Sequence, residues 1–277
     1  MRSVRIGGRE FTEAGTPHVV GVVNLSPESP NQDSVARDVD AARARAQHLV
    51  VEGAAIIDVG AQSSHFTAPL LPEEVEVARL VPAIAALKQA GMLVSVDTWR
   101  VSVARAALDA GVDLINDSDG FQHPAMIELL AAARTPIILP FISGASPHDP
   151  DPFTFDDPLR SMLPFFEQAL VRAAHAGLTQ IILDPGTGYV YPQVTADEKA
   201  VYQRAVYQNL HRFHEFGHPV LVALPRKEDP VLTRELVQMI VDNGADFVRA
   251  HQPGLAVTAA SHKRSPPRDA VRPAGDA

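Results

Sequence analysis

Short apolar runs alternate along the chain with longer stretches in which apolar residues recur at helical spacing. Apolar runs that end abruptly predict buried strands, and the longer spacing predicts amphipathic helices. The predicted strands occupy residues 18–23, 55–59, 93–96, 113–115, 136–141, 180–183, 219–224 and 246–248. The predicted helices lie between them, at residues 35–52, 72–89, 101–110, 124–133, 158–176, 195–216 and 230–243.

Eight strand–helix repeats over 277 residues are the number found in a TIM barrel, so we predict an α/β fold of the (β/α)8 class. A doubly wound sheet is the alternative, but no Gly-x-Gly-x-x-Gly turn follows the first strand. A short N-terminal hairpin is expected, because Gly7 and Gly8 lie between apolar residues. The eighth helix would be short, at residues 254–262. We therefore expect one barrel domain over residues 1–262 and a disordered tail over residues 263–277, which is rich in proline and charge.

The composition argues against several classes of protein. The net charge of -9 and the lack of a basic stripe argue against a nucleic-acid partner. With no cysteine, the chain has no disulfide, no thiolate zinc site and no cysteine nucleophile. No apolar run approaches the roughly 20 residues of a membrane span, and the first residues lack the pattern of a signal peptide. We expect a cytoplasmic protein with no membrane partner.

Polar residues stand where the apolar strands end. In a barrel, the C-terminal ends of all strands meet at the face where the chemistry of this fold lies. Any one such residue could instead cap a helix or form a turn, but their recurrence on several strands favours a site. One set provides two carboxylates, an amide and an ammonium, which can match the edge of a planar heterocycle that carries donors and acceptors. Its members are Asp97, Asn116, Asp184 and Lys227.

A second set follows the first and last strands, which become neighbours when the barrel closes. It consists of Asn24, Arg249 and His251. A guanidinium and an imidazole beside an amide suit an anion such as phosphate or pyrophosphate. Tyr189 and Tyr191, which follow the sixth strand, could stack on a flat ligand.

Seven segments carry a family resemblance. They are residues 21–29 (GVVNLSPES), 56–60 (IIDVG), 95–98 (SVDT), 115–117 (IND), 183–188 (LDPGTG), 226–227 (RK) and 249–251 (RAH). In this order and spacing they resemble dihydropteroate synthase, of the pterin-binding (β/α)8 family, along nearly the whole chain.

The resemblance implies a function and a set of roles. The family joins a pterin-CH2 group, from 6-hydroxymethyl-dihydropterin pyrophosphate, to an amine such as p-aminobenzoate in folate biosynthesis, and it releases pyrophosphate. Its pterin-holding residues match Asp97, Asn116, Asp184 and Lys227. The residues that hold the leaving group with Mg²⁺ match Asn24, Arg249 and His251, and Asn24 is the expected metal ligand. The catalytic residues implied are Lys227, Arg249, His251 and Asp97, with Gly188 and Ser64 among the further substrate-binding residues.

The chain departs from the family mainly around the p-aminobenzoate pocket. A Glu-Ser-Thr-Arg stretch is replaced by residues 62–65 (QSSH), and a Ser-Arg-Lys stretch begins with Pro225 instead of serine. Three interpretations follow: a synthase that uses p-aminobenzoate or another amine, a paralogue that binds a pterin without synthase activity, and a methyltetrahydrofolate-binding methyltransferase. Lys227, Arg249 and His251 argue against the third, which has no pyrophosphate to release. Retention of the leaving-group residues favours an enzyme. A pterin and an amine are the expected partners, and a homodimer is an expected assembly.

Overall fold

The computed structural model describes residues 1–29, 32–151 and 157–262. It begins with the expected hairpin, formed by β1 (Ser3–Ile6) and β2 (Arg9–Thr12) in antiparallel pairing. Gly7 and Gly8 form its turn with positive φ, which glycine adopts without a steric penalty. Val4, Ile6 and Phe11 are buried against the apolar residues at the N-terminal end of the barrel, so the hairpin plugs that end. The predicted tail lies outside the described residues.

The central sheet is a closed parallel barrel. Its strands are β3 (His18–Asn24), β4 (Ala54–Gly60), β5 (Val94–Asp97), β6 (Leu114–Asn116), β7 (Ile137–Pro140), β10 (Ile181–Asp184), β11 (Leu221–Ala223) and β12 (Phe247–Ala250). The strands β8 (Gly144–Ser146) and β9 (Asp149–Pro150) form a separate hairpin between β7 and β10. Neighbours in the sheet follow chain order, and β12 pairs with β3. A bridge between Leu183 and Val220 joins β10 to the start of β11 and completes the ring.

At least one helix follows each barrel strand before the next begins, and the helices surround the barrel. They are α1 (Val39–Val51), α2 (Glu73–Gln89), α3 (Val101–Asp109), α4 (Pro124–Ala133), α5 (Pro158–His175), α6 (Ala196–Gln208), α7 (Leu210–His214), α8 (Pro230–Asp242) and α9 (Gly254–Ser261). Their apolar faces pack on the outside of the strands and form the main core. The predicted (β/α)8 barrel is therefore confirmed. Within the described part of the chain, every helix is too short or too polar to cross a membrane.

Two local predictions were wrong, and one local element was missed. The first helix was expected from residue 35, but α1 begins at Val39, because the Asp38 side chain caps it by accepting from the Ala41 amide at 2.8 Å. The helix predicted over residues 195–216 is interrupted at Asn209, whose side chain donates to the Ala205 carbonyl at 2.8 Å. The hairpin of β8 and β9 was not predicted, because its strands are too short to show an apolar pattern.

Candidate active site

A cavity of about 330 Å³ opens at the C-terminal face of the barrel. The parallel register places the ends of β3, β4, β5 and β6 side by side, with Gly60 opposite Asp97 and Asp97 opposite Asn116. All of the predicted site residues line this cavity: Asn24, Ser64, Asp97, Asn116, Asp184, Gly188, Lys227, Arg249 and His251. The structure thus brings both sets of residues together. The role of each one stays a prediction. Tyr191, in contrast, is buried and does not line the cavity, and its hydroxyl accepts from the Ser143 amide at 3.2 Å.

Arg249 is the electrostatic centre of the site. Its Nε donates to Asp58 Oδ2 at 2.7 Å, and its Nη2 donates to Asp97 Oδ2 at 2.8 Å. Burial opposes its charge, but the neighbouring carboxylates of Asp58 and Asp97 outweigh that effect and raise the pKa of Arg249. The sequence analysis assigned Arg249 to the anion set and Asp97 to the pterin set, and the structure brings these two side chains into contact. The guanidinium spans both groups because β12 closes the barrel.

Asp58 was not assigned a role from the sequence. It is fully buried within β4, and it also accepts from Asn116 Nδ2 at 3.4 Å. Its second oxygen, Oδ1, has no hydrogen-bond partner among the described residues. The sequence did indicate a buried partner for Asp58, because an acidic side chain inside an apolar strand needs a cation or a hydrogen-bond donor beside it. The sequence could not show that this partner is Arg249, which lies 191 residues away.

The two predicted pterin carboxylates lie in different environments. Burial raises the pKa of Asp97, although the Arg249 charge opposes that rise, and Ser118 Oγ donates to Asp97 Oδ1. Burial also raises the pKa of Asp184 to about 7, against a hydrogen bond of 2.8 Å from the Gly186 amide. Asp184 therefore exchanges its proton near neutral pH, and a ligand that donates hydrogen bonds would favour its charged form.

Lys227 takes no part in the ion pairs described above. Arg249, rather than Lys227, pairs with Asp97 at 2.8 Å. Among the described residues, Lys227 has no carboxylate within 4.0 Å. Burial, together with the positive charge of Arg204, lowers the pKa of Lys227. Its ammonium group lines the cavity and can donate to a bound ligand.

The predicted anion side of the cavity holds His251, Asn24 and Arg226. Burial, with the charges of Arg249 and Arg226, lowers the pKa of His251 to about 3, so its imidazole is neutral at neutral pH. Arg226 pairs with Asp33 at 2.8 Å, which ties the loop after β3 to the loop after β11. Arg226 is a cavity cation to which no role was assigned from the sequence.

The altered positions border the same cavity. Ser63, Ser64, His65 and Pro225 line it at the mouth. The Ser63 carbonyl lies 2.7 Å from His148 Nε2, so the loop after β4 is joined to the hairpin of β8 and β9. In the loop after β10, the hydroxyl of Tyr189 donates to the Ser118 carbonyl at 3.0 Å. Stacking of Tyr189 on a ligand stays a prediction.

Mg²⁺ would be bound in this cavity by oxygen atoms, the ligands that it prefers. In residues 1–29, 32–151 and 157–262, no group of three or more His, Asp or Glu side chains could hold a metal ion. Asn24 Oδ1, which accepts from the Ser26 amide at 2.8 Å, is an amide oxygen at the predicted anion side. Mg²⁺ is commonly held by one or two protein oxygens together with substrate phosphates. The residues therefore fit an ion that arrives with a diphosphate.

Comparison with known proteins identifies the family. A family model described as pterin binding enzyme matches residues 20–259. The dihydropteroate synthase of Clostridium beijerinckii is 30% identical over 267 residues, which cover 90% of this chain and 93% of that protein. The dihydropteroate synthase of Yersinia pestis, solved as a sulfonamide drug complex, superposes with a TM-score of 0.81 at 26% identity over 94% of this chain and 97% of that one. The Xanthomonas albilineans synthase, solved with 4-aminobenzoic acid, gives a TM-score of 0.79 at 27% identity over 94% and 96%. The resemblance found in the strand-end residues is confirmed, and this chain belongs to the dihydropteroate synthase family of pterin-binding enzymes.

Proposed function

We propose that this chain transfers the pterin-CH2 group of 6-hydroxymethyl-dihydropterin pyrophosphate to the amine of p-aminobenzoate and releases pyrophosphate. The observation that carries the proposal is one cavity in which buried carboxylates and an amide adjoin a guanidinium and a neutral imidazole. The first set matches a heterocycle rich in N–H donors, and the second matches a diphosphate. A family member has been solved with 4-aminobenzoic acid, which supports this choice of acceptor.

Pterin binding is assigned to Asp97, Asn116, Asp184 and Lys227. The carboxylates accept from ring and amino N–H groups, the amide both donates and accepts, and the ammonium donates. Asp184 is deeply buried, so its charge is costly unless a ligand donates to it. The positive charge of Arg249 favours the ionised form of Asp97 in the same space.

The transfer step requires stabilisation of a departing anion. The bond between the methylene carbon and the bridging oxygen breaks, and its electron pair leaves on the pyrophosphate. The lone pair of the amine forms the new carbon–nitrogen bond, and the amine proton is released to water or to the pyrophosphate. Arg249 and His251 donate hydrogen bonds to the leaving oxygens, which is electrostatic catalysis by groups already in place. Mg²⁺, held by Asn24 and the diphosphate, would supply further positive charge.

A pterin-binding paralogue without transfer activity is the second candidate. His65 and Pro225 favour it, because they stand at the mouth through which the acceptor must enter. The methyltransferase alternative has no use for the anion-binding residues.

The deciding assay mixes purified protein with the pterin pyrophosphate, Mg²⁺ and p-aminobenzoate, and follows pyrophosphate and dihydropteroate. Formation of both products supports the synthase. Pterin binding by calorimetry without release for any amine supports the paralogue, and absence of pterin binding contradicts both. His251→Ala should weaken binding of the pyrophosphate substrate far more than binding of the free pterin. Arg105→Ala, on the exposed face of α3, is the matched control.

A cytoplasmic location and a homodimer are proposed with this function. Light scattering of the purified protein would test the assembly, and a monomer at all concentrations would contradict it.

A further inference from the structure

Lys199 is a cavity cation that neither the strand ends nor the family motifs identified. It lies in the first turn of α6, half-buried, and its side chain lines the cavity. Its Nζ donates to the Gly188 carbonyl at 3.1 Å and to the Tyr189 carbonyl at 2.6 Å. It thus contacts the loop that follows β10 from the helix side.

The ammonium of Lys199 has unused hydrogen-bonding capacity. A lysine ammonium carries three N–H donors, and the described residues accept only two of them. Both acceptors are neutral carbonyl oxygens. Within the described ranges, no carboxylate lies within 4.0 Å of Lys199, whereas Arg226 and Arg249 each pair with aspartate.

Lys199 also lacks charge balance. Burial and the positive charge of Lys227 lower the pKa of Lys199 to about 8, so it is still mostly protonated at neutral pH. Two ammonium groups that repel each other in a partly desolvated cavity are stabilised when an anion binds between or beside them. The region next to Lys199 therefore favours an anionic group of a ligand.

The position of Lys199 indicates which anion it meets. The residues proposed to hold the pyrophosphate belong to β12 and β3, which are adjacent. Lys199 contacts the loop after β10, which β11 separates from β12. The neighbouring Tyr189 and Val190 line the cavity there. Lys199 is thus set apart from the residues proposed to hold the pyrophosphate. The acceptor carboxylate is the other anionic group among the proposed substrates.

We propose that Lys199 binds the carboxylate of the acceptor amine and makes the enzyme selective for anionic arylamines. This proposal rests on the proposed transfer function. The third N–H of the ammonium donates to the carboxylate, in a charge-assisted hydrogen bond. The rival role is purely local: Lys199 would hold the Gly188–Tyr189 backbone in place and contact no substrate.

The test compares 4-aminobenzoate with 4-aminobenzamide, a neutral acceptor of nearly the same shape. Steady-state kinetics would be measured for the wild type, Lys199→Met and Lys199→Arg. Loss of a charge-assisted hydrogen bond should raise the KM for 4-aminobenzoate at least about tenfold in Lys199→Met. The KM for the amide should change less than about twofold, and Lys199→Arg should recover most of the affinity for the acid. Arg172→Met, on the exposed face of α5, is the control and should resemble wild type.

Other outcomes would overturn the proposal. An equal loss for both acceptors indicates that Lys199 only positions the loop. A wild type that does not prefer the acid over the amide, or a Lys199→Met variant that weakens only the pyrophosphate substrate, also contradicts it. If the wild type releases no pyrophosphate, the proposed function fails, and calorimetry then decides the Lys199 proposal separately. Binding of 4-aminobenzoate that Lys199→Met selectively abolishes supports the proposal, and binding that is absent or unchanged overturns it.

Discussion

Replacement of Asp58 by asparagine tests how much the buried charge network contributes to stability. Asp58→Asn keeps the shape of the side chain but removes the charge that pairs with Arg249 Nε at 2.7 Å. Asp58 is fully buried, so water cannot replace the lost partner. The removal of one partner of a buried ion pair costs about 3–5 kcal/mol. We expect the lower end, about 3 kcal/mol, because Asp97 still neutralises Arg249 at 2.8 Å.

Urea denaturation would measure this loss. The only tryptophan, Trp99, is nearly buried and reports unfolding by fluorescence, and circular dichroism checks that helices unfold in the same transition. The matched control is Glu235→Gln, which breaks an ion pair of 2.8 Å with Arg204 at the surface. Exposed pairs contribute less than about 1 kcal/mol. Equal losses for the two variants would refute the reasoning, because burial would then make no difference.

Three further variants test the site and its support. The ionised form of Asp184 accepts hydrogen bonds from the pterin, and the pKa of Asp184 is about 7. Pterin affinity, measured by calorimetry, should therefore fall as the pH drops from about 8 to about 6. Asp184→Asn should show a flat profile, and a flat profile for the wild type would contradict this prediction. Although burial opposes it, the His214 imidazole at 3.1 Å and hydrogen bonds from Arg2 lower the pKa of Asp246, so this carboxylate stabilises the fold above its ordinary pKa. Asp246→Asn should therefore be less stable than wild type at neutral pH, as measured by thermal unfolding, and the difference should shrink below about pH 4. A difference that grows below about pH 4 would refute this linkage. Gly186→Ala should lose stability and pterin affinity, because the backbone there has a φ of +69° and the added Cβ would clash with a backbone carbonyl oxygen. Gly177→Ala, with a φ of +80° and no atom within 4 Å of the added Cβ, should show the cost of backbone strain alone. Equal effects of the two substitutions would exclude the clash as the cause.

Local features of the sequence were enough for the fold and for most of the site. Apolar runs that stop at a polar residue are a property of a few neighbouring positions, and eight repeats of that pattern predict the barrel. Because all parallel strands of a barrel end on one face, the side chains of Asp97, Asn116 and Asp184 had to meet there. The boundaries of α1 and α6 were less predictable, since single side-chain contacts at Asp38 and Asn209 decide them.

The tertiary structure determines which charged side chains form ion pairs and which remain available to bind a ligand. Arg249 meets Asp58 and Asp97 across sequence separations of 191 and 152 residues, and only closure of the ring between β12 and β3 sets those distances. Lys199 enters the cavity from a helix, where nothing in the apolar pattern distinguishes it from a surface lysine. The sequence alone therefore determined the barrel and the chemical groups at its mouth. Packing determined their partners, because pairing energy depends on distance and burial, and neither is a local property of the chain.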